Sequence, residues 1–133
     1  MICIDTTVLI DEFRARGNPD APVNKALLRH RHESLIVPFV AAGEFLDGAA
    51  MVSEESVQQA LVLLRLRRVV SGSLDTAEHF GRIVSNLRKS NALVGRSHND
   101  MWIAAIAREH GARLLTRNAE HFRGVPGLEV LSY

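Results

Sequence analysis

The sequence predicts an α/β protein of three layers, α/β/α, built on a mostly parallel sheet of about five strands. Three observations predict it. Short apolar runs such as "ICI", "SLIVPFV" and "ARLL" recur along the 133 residues, and such runs suit strands buried on both faces. Between them lie stretches with helical apolar spacing; strand–helix alternation implies right-handed crossovers and a parallel sheet. Finally, "MWIAAIA", residues 101–107, leaves no polar stripe, so a helix built from it is buried nearly all round.

The elements follow in order. "ICIDT" is a short buried strand, and Thr6 or Thr7 can cap the helix that "TTVLIDEFRA" then forms. "GNPDAP" is a turn cluster and a helix runs from Val23 to about His32. "SLIVPFV" is the second strand, with Pro38 at or near its end because proline inside a central strand removes a ladder bond. "AAGEFLDGAAMV" reads as a helix despite its glycines. Residues 54–65 form another, with Val57, Leu61 and Leu64 on one face. "RRVVSG" is the third strand. Ser73 caps a long amphipathic helix whose apolar face is Ala77, Phe80, Ile83, Val84 and Leu87. A loop precedes the buried helix of residues 100–110, and Gly111 ends that helix. "ARLLTRN" and "LEVLSY" are the fourth and fifth strands.

Composition narrows the class. At 14.7 kDa, with 47% hydrophobic and 23% charged residues, the chain fits one soluble domain spanning 1–133. No apolar run is long enough to cross a membrane, and the acids in "MICIDTTVLIDEF" do not suit a signal peptide, so a cytoplasmic protein is expected. The single cysteine, Cys3, excludes an internal disulfide and any cysteine-cluster zinc site. Basic groups at 14–31 and 65–68 suit solvated helix faces as well as phosphate contacts. No G-x-G-x-x-G, Walker or G-x-S-x-G pattern occurs.

In open parallel sheets, ligands bind outside the carboxyl ends of the strands, where strand order reverses. Asp5 ends the first strand, Glu44 lies about a turn into the helix after the second, and Asp100 opens the buried helix. The fourth strand runs into "TRNAEHF", which carries Thr116, Arg117, Asn118 and His121. On this fold the three carboxylates share one rim. Each also has a plainer reading: Asp5 can make a turn bond to Thr7, Glu44 can be a solvated charge, and Asp100 or Asn99 can cap its helix. Asp11, Glu12 and Asp47 serve as the comparison, reading as ordinary surface acids. His98 and His121 lie close enough to touch bound water or a ligand, while His30, His32, His79 and His110 read as surface residues.

Two carboxylates ~5 Å apart repel by roughly 3 kcal/mol at an effective dielectric of about 20. Such a group takes up a proton or holds a cation. Oxygen-only ligands select hard ions, Mg²⁺ or Mn²⁺, which keep waters and leave room for a phosphate oxygen. The expected chemistry is metal-assisted phosphodiester hydrolysis.

The ordered set "IDTTVLI", "GEF", "DMWIAAIAREHG" and "LLTRNAEHF" resembles the PIN domain, and specifically the VapC-type toxins of prokaryotic toxin–antitoxin pairs, from first strand to last. The resemblance implies an endoribonuclease with Asp5, Glu44 and Asp100 as its acidic metal-binding set, Thr6 helping to orient them, and Asn118 at a fourth catalytic position. Thr116 and His121 support the site; His121 stands where many relatives carry Asp, which lowers the local negative charge. Arg14, Arg16 and Arg117 are candidate RNA contacts. The resemblance further implies an RNA substrate, a cognate antitoxin and a homodimer, with helices 23–32 and 54–65 as contact surfaces. A housekeeping PIN nuclease, or a PIN-like binding module without catalysis, are the alternatives. A response-regulator phosphoacceptor domain is disfavoured, since it needs paired acids after the first strand and a late lysine, where this chain has "IDTT" and "LLTRN".

Overall fold

A computed structural model describes residues 1–133. Strands β1 (Ile2–Ile4), β2 (Leu35–Pro38), β3 (Arg68–Val70), β4 (Arg113–Thr116) and β5 (Val130–Ser132) form one sheet in the order β3-β2-β1-β4-β5. Every neighbouring pair is parallel. The helices are α1 (Thr6–Ala15), α2 (Pro22–Arg29), α3 (Phe39–Ala50), α4 (Glu54–Arg65), α5 (Leu74–Lys89), α6 (His98–Glu109) and the single turn α7 (Ala119–Phe122).

Burial explains the strand order. Ile2, Cys3 and Ile4 are fully buried, so β1 needs cover on both faces and takes the centre. Arg68 and Val69 are exposed, and β3 accordingly lies at an edge. Pro38 closes β2 opposite Val70, at the strand end where its missing N–H costs least. The chain builds outward from β1 through β2 to β3, then returns to the other side of β1 for β4 and β5. The reversal falls between β1 and β4, and a crevice opens at their carboxyl ends.

α6 is the most deeply set helix: Met101 and Ile103 through Ala107 are at most 1% exposed. Its small residues let it lie close to the sheet while α5 packs antiparallel beside it. Phe80 and Trp102 stack with centroids 3.8 Å apart. At the other end of the pair, Glu109 accepts hydrogen bonds from Ser73 Oγ at 2.5 Å and from Thr76 Oγ1.

The structure departs from expectation at the helix starts. Asp5, not Thr6 or Thr7, caps α1; its carboxylate reaches the N–H groups of Thr7 and Val8, and both threonines fall inside the helix. Ser97 caps α6 and moves its start to His98, so neither Asn99 nor Asp100 is the cap. On α5, Ala77 is exposed while Thr76 is buried, because Thr76 completes the capping box with Ser73. α2 stops at Arg29, short of His32. Neither α7 nor its boundaries had a periodic signal at four residues.

Ile106 sits fully buried in α6. Ile106→Ala is expected to lower unfolding free energy by about 2–5 kcal/mol in urea titration; a loss below about 1 kcal/mol would mean that α6 is not rigidly packed.

Candidate active site

Asp5 stands where β1 ends, and its carboxylate is almost wholly committed. Oδ1 accepts from Thr7 N (2.8 Å), Thr7 Oγ1 (2.5 Å) and Val8 N (3.3 Å), and Oδ2 accepts from Thr116 Oγ1 at 2.6 Å. Thr116 is fully buried at the end of β4, so the two central strands meet through this bond. A carboxylate oxygen has about two lone-pair sites, which leaves Oδ2 one free position facing outward from the bond. Burial pushes the Asp5 pKa up, and the hydrogen bonds from Thr116, Thr7 and Val8 pull against it.

Asp100 lies in the first turn of α6 with its side chain 17% exposed. Its N–H donates to Ser97 Oγ, and its Oδ2 pairs with His121 Nδ1 at 3.2 Å. The Asp100 pKa is raised, chiefly by burial and further by the charges of Glu44 and Asp5, with His121 opposing. Its potential therefore registers both other acids, and the three share one rim.

Glu44, half-buried in the second turn of α3, accepts from Thr6 Oγ1 on Oε2 and from Asn99 Nδ2 on Oε1 at 2.9 Å. It thereby ties α3 to α1 and α6. The three acids gather without clasping: no three acidic or histidine side chains converge as the direct ligands of a single ion.

Around them, Asn118 contributes its backbone, donating N–H to Thr116 Oγ1 at 2.9 Å, while its side chain bonds to none of the acids. Thr7 has a second role, accepting the Arg117 N–H at 3.0 Å. The Arg117 guanidinium is paired with Asp11 at 2.6 Å, and Tyr133 Oη donates to the other oxygen of Asp11 at 2.9 Å. Asp11 and Glu12 are therefore not plain surface acids: both side chains are mostly covered, and Glu12 pairs with Arg67. Arg14 and Arg16 are exposed near the far end of α1, where a rise of about 1.5 Å per residue carries Arg14 some ~13 Å along the axis from Asp5. His98 stays outside the acidic group, with its ring 6.2 Å from that of Phe80. Two contributors escaped sequence reading. Asn99 looked like a cap, and nothing in the sequence ties it to Glu44, 55 positions away. Thr7 was legible as a turn partner of Asp5, but its bond to Arg117 required the β1–β4 pairing.

An acid whose pKa is raised on folding holds its proton more tightly in the fold. Its contribution to stability is present at low pH and is lost as pH climbs from the ordinary carboxylate value through the raised one. Asp100→Asn removes that loss. Without divalent cations the variant is expected to melt about 3 °C above the parent at neutral pH, the gap closing in acid, in circular-dichroism melts. A gap independent of pH would refute the electrostatic origin.

A family model described as "PIN domain" matches residues 2–128. The chain is 32% identical over 123 residues to Ribonuclease VapC11 of Mycobacterium tuberculosis, covering 90% of this chain and 88% of that protein. It is 29% identical over 136 residues to Ribonuclease VapC1 of Rickettsia felis, covering 98% and 95%. Its fold superposes with a TM-score of 0.84 on VapBC2 from Rickettsia felis, solved bound to a DNA fragment from its promoter, at 21% identity with 100% and 99% of the chains covered. With strand order, acidic rim and near full-length similarity in agreement, the chain belongs to the PIN-domain family, in company with the VapC ribonucleases.

Proposed function

We propose that this protein is a metal-dependent endoribonuclease that hydrolyses RNA phosphodiester bonds at the rim of Asp5, Glu44 and Asp100. The observation that carries the reading is geometric: Glu44 accepts hydrogen bonds from Thr6 and Asn99, the residues beside Asp5 and Asp100, which draws the three acids to one rim. Burial raises the pKa of both Asp5 and Asp100, and buried carboxylates of that kind suit a site that receives a cation.

The donor set fits Mg²⁺ or Mn²⁺. It is all oxygen, and Mg²⁺ binds through one or two carboxylates and keeps its remaining waters. Asp100 Oδ1 accepts no hydrogen bond, and Asp5 Oδ2 keeps one lone pair beyond its bond from Thr116, so these are the positions open to the ion, Asp5 Oδ1 and Asp100 Oδ2 being already bonded. Glu44 has a donor on each oxygen and acts on water instead. When bound, the ion supplies an acidified water and neutralises charge developing on the phosphate. The chain supplies the geometry. Thr7 and Thr116 fix the Asp5 carboxylate from two sides, His121 fixes Asp100, and Thr6 and Asn99 hold Glu44 where its remaining lone pairs can accept a water proton. Water adds to phosphorus, the ribose oxygen departs and regains a proton from solvent or Glu44, and two RNA ends result. Asn118 supports the site through its backbone, and Arg14, Arg16 and Arg117 are the phosphate contacts of the reading.

The reading extends to a toxin held by a cognate antitoxin. Support comes from relatives solved as VapBC toxin–antitoxin assemblies, whose likeness to this chain spans nearly all of it. A homodimer belongs to the same reading: Leu28 on α2 and Val62 on α4 are apolar residues left exposed on helices expected to make contacts. No helix is long and apolar enough to cross a membrane, and a cytoplasmic site of action fits an RNA substrate.

Purified protein freed of any antitoxin is expected to cut total RNA into discrete fragments with Mg²⁺ or Mn²⁺ and to leave it intact in EDTA. Asp5→Asn and Asp100→Asn should each slow cutting by about 100-fold or more, read as initial rates on gels. Cutting that survives EDTA and both substitutions would overturn the proposal.

A further inference from the structure

A cavity of about 370 Å³ opens at the carboxyl ends of β2 and β3, on the same edge of the sheet as the acids, lined among others by Phe39 and Val40 of α3, Trp102 of α6, and Ser71, Ser73 and Thr76 around the start of α5. Val40 precedes Glu44 by one helical turn, and Trp102 follows Asp100 by two residues, so the helices that carry two of the acids also build this cavity. Phe39 is 52% exposed at its mouth. Phe80 covers one face of the Trp102 indole at 3.8 Å and 13°, and the His98 ring meets Phe80 edge-on.

The lining selects the class of occupant. It contains no charged side chain, which disfavours a phosphate or a carboxylate. The Ser73 and Thr76 hydroxyls are taken by Glu109 and by the α5 cap. Ser71 Oγ and Trp102 Nε1 make no hydrogen bond within the protein, so one acceptor–donor hydroxyl and one donor remain beside aromatic surface. A flat, neutral ring with hydrogen-bonding edges matches that inventory, and unstacked bases are held on aromatic side chains in this way.

We propose that this cavity is a nucleobase pocket, seating one base of the RNA strand next to the phosphate at the acidic rim and so setting a base preference for cleavage. The inference rests on the nuclease reading for the source of the base. Its failure is separable from that reading because binding is measured without metal.

Trp102 is the only tryptophan of the chain, so its fluorescence reports on the cavity alone. In EDTA, adenosine 5′-monophosphate is expected to quench it saturably, while ribose 5-phosphate, which has no base, leaves it unchanged. Phe39→Ala, at an exposed position outside the catalytic set, should weaken that binding about tenfold. On RNA randomised around the cut, the same variant should lose the preference at one flanking position. Equal quenching by both compounds, or binding and preference untouched by Phe39→Ala, would overturn the proposal. So would a Phe39→Ala variant that turns a dimer into a monomer in sedimentation with nucleotide binding unchanged, since the face would then belong to a second copy. Base-dependent quenching without any RNA cleavage would leave the pocket standing and count against the nuclease reading instead.

Discussion

The bond from Thr116 Oγ1 to Asp5 Oδ2 is the contact on which the rest of the site depends. It joins the ends of β1 and β4 at the one place where the order of the sheet reverses. Because Thr116 is buried and also accepts the Asn118 N–H, the same hydroxyl fixes a carboxylate and the entry to α7. Asp5 repeats the pattern from its side, capping α1 while it faces the crevice. A buried carboxylate is costly unless satisfied, and here four donors supply the compensation. The fold and the site therefore use the same atoms, and neither is arranged independently of the other.

The two other acids are held by different means. Asp100 gains its precision from the packing of α6, whose buried residues allow little rotation or tilt. Glu44 sits on a helix with more exposed turns and gains its position from hydrogen bonds to Thr6 and Asn99. Ser97 relieves Asp100 of the capping role, so its side chain is free to face the crevice and meet His121. His121 is the one partner of the Asp100 carboxylate, and it works against the burial that raises the Asp100 pKa.

Much of this was legible in the sequence. Apolar runs gave the strands, and "MWIAAIA" gave the buried helix with its acid at the mouth. The three acids followed from placing strand ends at a common rim, and their family resemblance agrees with the PIN-domain match. What escaped was long-range and side-chain specific. The Asn99–Glu44 bond spans 55 positions and the Arg117–Thr7 bond 110, and no local pattern announces either. Asp11 and Glu12 looked like solvated charges because their partners, Arg117, Tyr133 and Arg67, lie on distant segments. Helix starts were misjudged by one to three residues for a local reason: several Ser, Thr, Asp and Asn residues stood side by side, and only the backbone course decides which one caps.

The reversal of strand order has a consequence in time. Asp5 is among the first residues synthesised, whereas its partner Thr116 is 111 positions later. A ribosome must complete seven-eighths of the chain before β4 can slot beside β1 and lock that carboxylate. Throughout most of its synthesis the polypeptide therefore carries its three acids unassembled.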